Sequence, residues 1–258
     1  MLYFISFFIG AAVGSFTLVV VNRLHVAPII NARSKCFSCG KKLSWYELIP
    51  VVSYTIQKGK CTTCHAKIGY DHVLVEIVYG LLFTLFYGLF LKDKGINLTT
   101  TWWTVYYSAM FVISGVLVLY DLRHRFVPEY FLYAYLVLSS IMMFIRFFET
   151  KNGYEFITPF VISLPALLIY FITKKRGIGL GDVLLFSGIG MLLGTEAALA
   201  SLVISVWSAT IVGLTLQLSN RKEYHMKYAL PFVPFMIIST LFVLFADINV
   251  WTLVGLFS

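Results

Sequence analysis

Two aspartates at the edges of apolar segments are the first residues in this sequence that could do chemistry. Asp121 ends an apolar run in VLVLYDLRHR, and Asp182 begins another after the glycine-rich turn of GIGLGDVLLF. Two carboxylates a few ångströms apart cannot both ionise easily, so they share a proton; one acts as base on a water molecule and the other as acid on a carbonyl oxygen. The pair therefore predicts aspartic-protease chemistry, provided that the fold brings Asp121 and Asp182 together.

Each aspartate also has a structural explanation when it is taken alone. A carboxylate at the start of a helix, as at Asp182, caps free N–H groups and interacts favourably with the helix dipole. Asp121 stands near Arg123, and a solvated ion pair at the edge of a membrane is common. Gly179 and Gly181, just before Asp182, either let another backbone approach closely or simply form a flexible loop.

The cysteines form a second group with a spacing typical of metal sites. All four lie in one loop, as two Cys-x-x-Cys pairs separated by 21 residues: Cys36, Cys39, Cys61 and Cys64. Four thiolates would close a tetrahedral shell around Zn²⁺ and leave no position for water, so the predicted site is structural. Two disulfides or four unrelated thiols are the alternatives, and His65 is either a substitute ligand or a solvated loop residue.

The elements that must position these groups are membrane helices. The chain is 59% hydrophobic and only 12% charged, which excludes an ordinary soluble domain. The first segment lacks the basic start and cleavage site of a signal peptide, so we expect it to be a retained helix. Apolar runs of suitable length predict about eight transmembrane helices, near 2–21, 73–91, 102–120, 129–148, 157–173, 182–194, 197–217 and 230–257. The segment 182–194 is short for a crossing and could instead be tilted or cross halfway.

The distribution of basic residues predicts the orientation of these helices. Of the 20 lysines and arginines, 16 fall in alternate loops that would then face the cytosol, which places both termini outside. The four-cysteine loop and both aspartates would lie on the cytosolic side. Because the cytosol is reducing, this position favours zinc over disulfides. Membrane topology also accounts for the lysines of the loop, so no nucleic-acid partner is expected.

An ordered set of motifs resembles a known family over nearly the whole chain. The set begins with GSF at 14–16 and RL at 23–24, continues through the cysteine-containing segment 33–80, and ends with PFVPF at 231–235. Between these motifs, Asp121 and the sequence GLGD at 179–182 resemble the two catalytic aspartates of the type IV prepilin peptidases, a family of GxGD intramembrane aspartic proteases. The resemblance is incomplete at four positions where the family usually has another residue: Leu18, Asn22, Leu184 and Val233.

The resemblance implies an all-α polytopic membrane protein of the bacterial inner membrane with a zinc-ribbon-like cytoplasmic loop. Its expected parts are the first transmembrane helix (1–22), the four-cysteine loop (23–72) and a transmembrane aspartic peptidase core (73–258). The implied activity is cleavage of the leader of prepilins or pseudopilins at the cytosolic face by Asp121 and Asp182, with Gly179 and Gly181 in the catalytic loop. Many members also methylate the new N-terminus from S-adenosylmethionine, and Glu76 corresponds to a family glutamate that could contribute to cofactor binding.

Two other classes of function remain open at the level of the sequence. Acidic residues in membrane segments also relay protons in transporters, although such acids usually lie near the midplane or in two matching halves. A zinc-ribbon membrane scaffold without chemistry is the third class, and it predicts that either aspartate can be replaced by asparagine without loss of function. The sequence does not specify which prepilin is the substrate or what the oligomeric state is.

Overall fold

The architecture is all-α, as the hydropathy pattern predicts. The computed structural model describes residues 1–24, 26, 28, 33–91, 97–174, 177–218 and 230–255. Within these residues, β structure is limited to two isolated bridges, Lys35 to Lys42 and Lys60 to Lys67. The helices are α1 (Leu2–Arg23), α2 (Val52–Ile56), α3 (Tyr70–Phe86, with a π turn at Tyr87–Leu91), α4 (Leu98–His124), α5 (Glu129–Thr150), α6 (Thr158–Ile172), α7 (Leu180–Leu193), α8 (Thr195–Leu218), α9 (Val233–Ala246) and α10 (Val250–Gly255).

Eight of these elements correspond to the predicted spans, with two qualifications. Within the described residues, six helical segments are long and apolar enough to cross a membrane: α1, α3 with its π turn, α4, α5, α6 with the 3₁₀ turn Gly153–Phe156 before it, and α8. In contrast, α7 and α9 are shorter apolar helices. The predicted continuous span 230–257 is wrong, because α9 ends at Ala246 and Asp247 adopts a left-handed conformation with φ 51° before α10 begins. Residues 256–257 of that span lie outside the described residues, as do the basic residues Lys92, Lys94, Lys175, Arg176, Arg221, Lys222 and Lys227.

The residues divide into two compact units, the first of which is Met1–Val116. Here α1 packs closely on α3 through two glycines four residues apart. A Cβ built on Gly10 would lie 2.5 Å from the carbonyl oxygen of Tyr79, and one built on Gly14 would lie 2.9 Å from the carbonyl oxygen of Val75. Small residues with this spacing let membrane helices approach closely, so the GSF segment has a packing role in addition to its resemblance.

The second unit, Leu117–Ser258, contains both aspartates and is built around α7. Glycines on different faces of α7 receive the neighbouring helices. A Cβ at Gly188 would lie 2.9 Å from the ring of Tyr135 on α5, and one at Gly190 would lie 3.2 Å from Cα of Pro159 on α6. Seven of the 14 residues of α7 are buried, so this short helix is covered largely by neighbouring helices.

Contacts inside this second unit show which helix ends lie together. Arg146, near the end of α5, donates to the carbonyl oxygens of Leu192 (2.6 Å) and Met191 (2.5 Å) at the end of α7. The hydroxyls of Thr158 and Thr195, at the starts of α6 and α8, lie 2.5 Å apart. The end of α7 therefore lies with the end of α5, and the start of α6 lies with the start of α8.

Candidate functional site

Asp121 lies at the end of α4 and is held by the start of α9. Asp121 is 5% exposed, and the backbone N–H of Val233 donates to its Oδ2 at 3.2 Å. Val233 is the first residue of α9, so its N–H has no partner within that helix. The PFVPF segment thus supplies a free helix-start amide to a carboxylate that lies 112 residues away in the sequence.

Asp182 lies in the first turn of α7 and caps the same helix. The N–H of Gly179 donates to Oδ2 of Asp182 at 3.1 Å, in the manner of a capping box in which the third helical residue reaches back to the N-cap. Gly179 has φ −78°, a conformation that any residue adopts. The structural role that the sequence predicts for Asp182, helix capping, therefore coexists with the predicted catalytic one.

Two contacts bring the surroundings of the two aspartates together, and the two carboxylates lie within Coulombic range of each other. A Cβ built on Gly181 would lie 3.0 Å from Cβ of Val127, so the backbone just before Asp182 passes directly against the segment that follows α4. The rings of Phe186 and Phe232 lie 5.9 Å apart and join α7 to the segment before α9. The end of α4 and the starts of α7 and α9 thus form one site, here called the acidic site.

The chemistry available at the acidic site follows from its two carboxylates. Asp121 is buried, Asp182 is half-buried, and each has one oxygen engaged by a backbone amide. Two interacting carboxylates in a partly desolvated site hold a proton more readily than an isolated carboxylate does in water. A site of this kind can supply one base and one acid to the same reacting group, as hydrolysis of a peptide bond requires.

The four predicted metal ligands converge in the first unit. One ligand atom from each of Cys36, Cys39, Cys61 and Cys64 lies within 4.8 Å of all the others, and all four residues are free thiols. The Sγ atoms of Cys36 and Cys64 are 3.8 Å apart. A tetrahedral zinc site with Zn–S bonds of about 2.3 Å has sulfur–sulfur separations of about 3.8 Å. The donor set and its dimensions therefore fit a tetrahedral four-thiolate metal.

The thiol protonation states also suit a cation at this position. The backbone N–H groups of Cys64 and Thr63 lower the pKa of Cys61 to about 6. The N–H of Lys41 lowers the pKa of Cys39, but desolvation and the neighbouring thiols outweigh it and raise that pKa to about 11. Four crowded sulfurs cannot all become thiolates unless a positive charge replaces their protons, which is what a bound metal does.

His65 occupies a turn position next to the last cysteine. It is exposed and has φ 55°, and the first cysteine pair has Gly40 with φ 73° at the corresponding place. The four-cysteine cluster is complete without its imidazole. The structure therefore places His65 as a residue that shapes the turn and faces solvent.

Glu76 contacts the loop that precedes α3. It is 8% exposed, and its Oε2 accepts a hydrogen bond of 2.8 Å from the N–H of Val51. Val51 has φ 62° and ψ −47°, and the N–H of Val52 donates to the carbonyl oxygen of Pro50 at 2.6 Å. This is a γ-turn of the rare, strained hand. Glu76 holds that strained turn, and its predicted part in cofactor binding stays a prediction.

Comparison with known proteins assigns the chain to a family. The model of the Bacterial Peptidase A24 N-terminal domain matches residues 8–90, and that of the Type IV leader peptidase family matches residues 105–214. The chain belongs to the type IV leader peptidase family. The first match contains the four-cysteine loop, and the second contains both Asp121 and Asp182.

Several relatives of this leader peptidase chain bear the name prepilin leader peptidase/N-methyltransferase. The relative from Bacillus subtilis (strain 168) is 28% identical over 232 residues, which is 89% of this chain and 88% of the relative. The relative from Vibrio cholerae is also 28% identical, over 75% of this chain and 79% of its own length. The relative from Pseudomonas aeruginosa is 27% identical over 90% of this chain and 86% of its own length. No solved structure matches the chain.

The sequence prediction missed three residues: Val233 at the acidic site, Glu47 in the four-cysteine loop, and Arg146 at the far end of α7. Val233 was noted only as a departure from the motif, because a backbone N–H leaves no trace in residue type. Glu47 belongs to a Ser-x-x-Glu pattern that signals a capping box and could have been found. The sequence prediction gave Arg146 no role, although a basic side chain within an apolar segment usually has a specific partner.

Proposed function

We propose that this chain is an intramembrane aspartic endopeptidase that removes the leader of type IV prepilins or pseudopilins and methylates the new N-terminus. The observation that supports the peptidase part is that Asp121 and Asp182 lie within Coulombic range of each other at the acidic site, with each carboxylate held by a backbone amide. We assign these two residues the catalytic roles, and Gly179 and Gly181 form the loop that presents Asp182.

The reaction needs one carboxylate in each protonation state. The carboxylate removes a proton from a water molecule as the water oxygen bonds to the scissile carbonyl carbon, while the carboxylic acid gives its proton to the carbonyl oxygen. Collapse of the tetrahedral intermediate then breaks the C–N bond, and the amine takes up a proton. Because the two groups titrate as a pair, the base and the acid are not assigned to individual residues.

The membrane orientation follows from the charge distribution. The excess of lysine and arginine in alternate loops supports a cytosolic position for the four-cysteine loop and the acidic site, with both termini outside. A prepilin helix lodged in the bilayer would then present its basic leader at the level of Asp121 and Asp182. The hydrogen bond between Asp121 and Val233 supports this arrangement, because it requires the end of α4 and the start of α9 to be on one side.

The metal and methyl-transfer parts rest on the loop and on the relatives. We propose that Cys36, Cys39, Cys61 and Cys64 hold a structural Zn²⁺, whose chemistry is to neutralise the thiolates and fix the loop. The relatives' names include N-methyltransferase, which supports S-adenosylmethionine as the methyl donor. The new N-terminal amine would attack the donor methyl group, with cleavage of the sulfur–carbon bond and loss of a proton from the amine. Glu76 is the candidate cofactor-binding residue.

Co-expression with a prepilin tests the peptidase assignment. Asp121→Asn and Asp182→Asn keep the size of the side chain but remove the ionisable oxygen. Each substitution should reduce leader removal by at least about a hundredfold, which is the lower range for loss of a general acid or base. The mass of the pilin reports removal of the leader and the addition of one methyl group in place of hydrogen. Normal processing by either variant would refute the assignment.

A matched control separates loss of catalysis from loss of folding. Glu149→Gln changes an exposed acid at the end of α5. This variant should cleave the prepilin as the wild type does. The aspartate variants should retain the wild-type level of protein in the membrane fraction. If a variant removes the leader normally but leaves the new N-terminus of the pilin unmethylated, the substituted residue contributes to methyl transfer and not to cleavage.

A further inference from the structure

The two cysteine pairs lie in two similar turns, each of which closes on itself. In the first turn, residues 36–41, the N–H of Cys36 donates to the carbonyl oxygen of Lys41 at 2.9 Å. In the second turn, residues 61–66, the N–H of Cys61 donates to the carbonyl oxygen of Ala66 at 2.9 Å. These local bonds fix the cysteines within each turn, but they do not fix one turn relative to the other.

The side chain of Glu47 joins the two turns. Its Oε1 accepts a hydrogen bond of 2.9 Å from Nζ of Lys41 and one of 2.6 Å from Oγ1 of Thr62. Lys41 also donates to Oγ1 of Thr62 at 2.6 Å, which closes a triangle of polar contacts. Lys41 follows Cys39 by two residues, and Thr62 directly follows Cys61. One carboxylate oxygen therefore contacts both turns next to their cysteines.

Glu47 is itself held in a defined position. It belongs to a 3₁₀ turn at Trp45–Leu48, and its Oε2 accepts a hydrogen bond of 2.9 Å from the N–H of Ser44. The residue is only 6% exposed. A buried carboxylate is costly unless donors surround it, and here donors from three separate points of the loop do so. The arrangement is thus a built polar contact inside the loop.

We propose that Glu47 is a positioning residue that sets the two cysteine pairs at the separation required by one tetrahedral metal before the metal binds. Without this contact, metal binding would have to close the 21-residue segment between Cys39 and Cys61 and would lose conformational entropy in doing so. The inference rests on the proposed zinc site and adds a residue outside the ligand set that determines its affinity. Loss of an outer-shell partner that orients the ligands of a metal site typically costs about 10- to 100-fold in affinity.

Zinc affinity of the full chain in detergent, measured by competition with a chromophoric chelator, tests the proposal. Glu47→Ala should weaken zinc binding about 10- to 100-fold. Glu47→Gln keeps one acceptor oxygen and should fall between Glu47→Ala and the wild type. Lys42→Ala is the matched control for Lys41→Ala, because Lys42 is an exposed neighbour with a side chain outside the triangle. The control should bind zinc as the wild type does, and Lys41→Ala should bind it more weakly.

A second measurement reports on the arrangement of the turns without any metal. Metal-free protein is treated with diamide, which oxidises two thiols to a disulfide and is itself reduced to the hydrazine. Because the sulfurs of Cys36 and Cys64 lie 3.8 Å apart, the wild type should form a disulfide between the turns, and Glu47→Ala should shift the products toward pairs within a turn. Peptide mapping by mass spectrometry distinguishes the products.

The outcomes separate this inference from the proposed metal site. If the wild type binds no zinc and Cys36→Ser changes nothing, the proposed metal site is refuted. If the wild type binds zinc and Glu47→Ala binds it equally tightly with the same disulfide products, the positioning role of Glu47 is refuted while the metal site stands. Weakened zinc binding together with altered disulfide products, at unchanged helical content by circular dichroism, supports the role.

Discussion

At the scale of single residues, each carboxylate of the acidic site uses one oxygen for structure. Oδ2 of Asp121 accepts from the N–H of Val233, and Oδ2 of Asp182 accepts from the N–H of Gly179. These are the hydrogen bonds that the two carboxylates make to the described part of the chain. In the proposed mechanism, the second oxygen of each carboxylate would hold the shared proton or contact the water molecule or the substrate. The backbone fixes the orientation of both side chains without adding a charge to the site.

The two glycines before Asp182 should differ in their tolerance of a methyl group. A Cβ at Gly181 would lie 3.0 Å from Cβ of Val127, so Gly181→Ala pushes α7 away from the segment that follows Asp121. A Cβ at Gly179 would meet Oδ2 of Asp182 at 3.4 Å, an ordinary contact. We expect Gly181→Ala to slow leader cleavage by about tenfold, because small displacements at a catalytic site are costly. Gly179→Ala should stay near the wild-type initial rate, and equal rates for the two variants would contradict this account.

Glu76 offers a test that separates a structural role from cofactor binding. Glu76→Gln keeps an acceptor for the N–H of Val51, whereas Glu76→Ala leaves the strained turn without it. Hydrogen exchange at Val51 should become about tenfold faster in Glu76→Ala, which corresponds to about 1.4 kcal/mol. In Glu76→Gln the exchange rate and leader cleavage should be retained, and loss of methylation at unchanged exchange would support the proposed cofactor role of Glu76. Retained methylation would leave Glu76 with the structural role alone.

At the scale of elements, α7 is fixed at both ends. Its start is capped by Asp182, and its last carbonyl groups accept from Arg146. Arg146 also donates from Nε to Glu155 at 3.0 Å, so its charge has a partner. A helix of 14 residues is about 21 Å long, less than the roughly 30 Å hydrocarbon core. The depth of α7, and with it the position of Asp182, is therefore set by these end contacts and by helix packing.

Removal of the Arg146 guanidinium, which binds the last carbonyl groups of α7, should destabilise the second unit. Arg146→Met leaves two carbonyl groups and the carboxylate of Glu155 without their donor. Because hydrogen bonds to charged groups contribute about 1.5–3 kcal/mol each, we expect a loss of about 2 kcal/mol or more in the free energy of unfolding. Thermal unfolding in detergent, followed by circular dichroism, measures the loss. Glu155→Gln keeps the carbonyl contacts of Arg146, so it should lower the free energy of unfolding by less than Arg146→Met does. A larger loss for Glu155→Gln than for Arg146→Met would contradict this account.

At the scale of the whole molecule, the contacts of the second unit define two ends of a helical bundle. One end contains Asp121 and the starts of α7 and α9. The opposite end contains the ends of α5 and α7. The connection between α4 and α5 should therefore lie on the side of the acidic site, and the one between α5 and α6 on the other side. In the proposed orientation, the side of the acidic site faces the cytosol.

Reporter fusions test this orientation. Alkaline phosphatase is active only outside the cytosol, so a fusion after Lys151, where α5 ends, should be active. A fusion after Arg125, where α4 ends, should be inactive, and green fluorescent protein at the same two positions should give the reverse pattern. Active phosphatase after Arg125 would place the acidic site on the outer face and remove its access to the cytosolic leader.

Much of the helical architecture could be predicted because hydropathy is a local property. The predicted span 129–148 corresponds to α5 at Glu129–Thr150, and 182–194 corresponds to α7 at Leu180–Leu193. The break at Asp247 could not be predicted from hydropathy, since the apolar run continues on both sides of this residue. The role of Glu47 could have been inferred only in part, because the capping box is local but the contact with Thr62 is not.

The sequence alone determined the chemistry that this chain can carry: four thiols in two pairs, two acids at helix ends, apolar segments of membrane length and a basic excess in alternate loops. These are properties of residue type and short spacing. Only the tertiary structure decided which groups meet. The distance between Asp121 and Asp182, or between Asp121 and the amide of Val233, depends on how closely α4, α7 and α9 pack. That packing rests on contacts such as Gly181 against Val127, whose partners lie far apart along the chain.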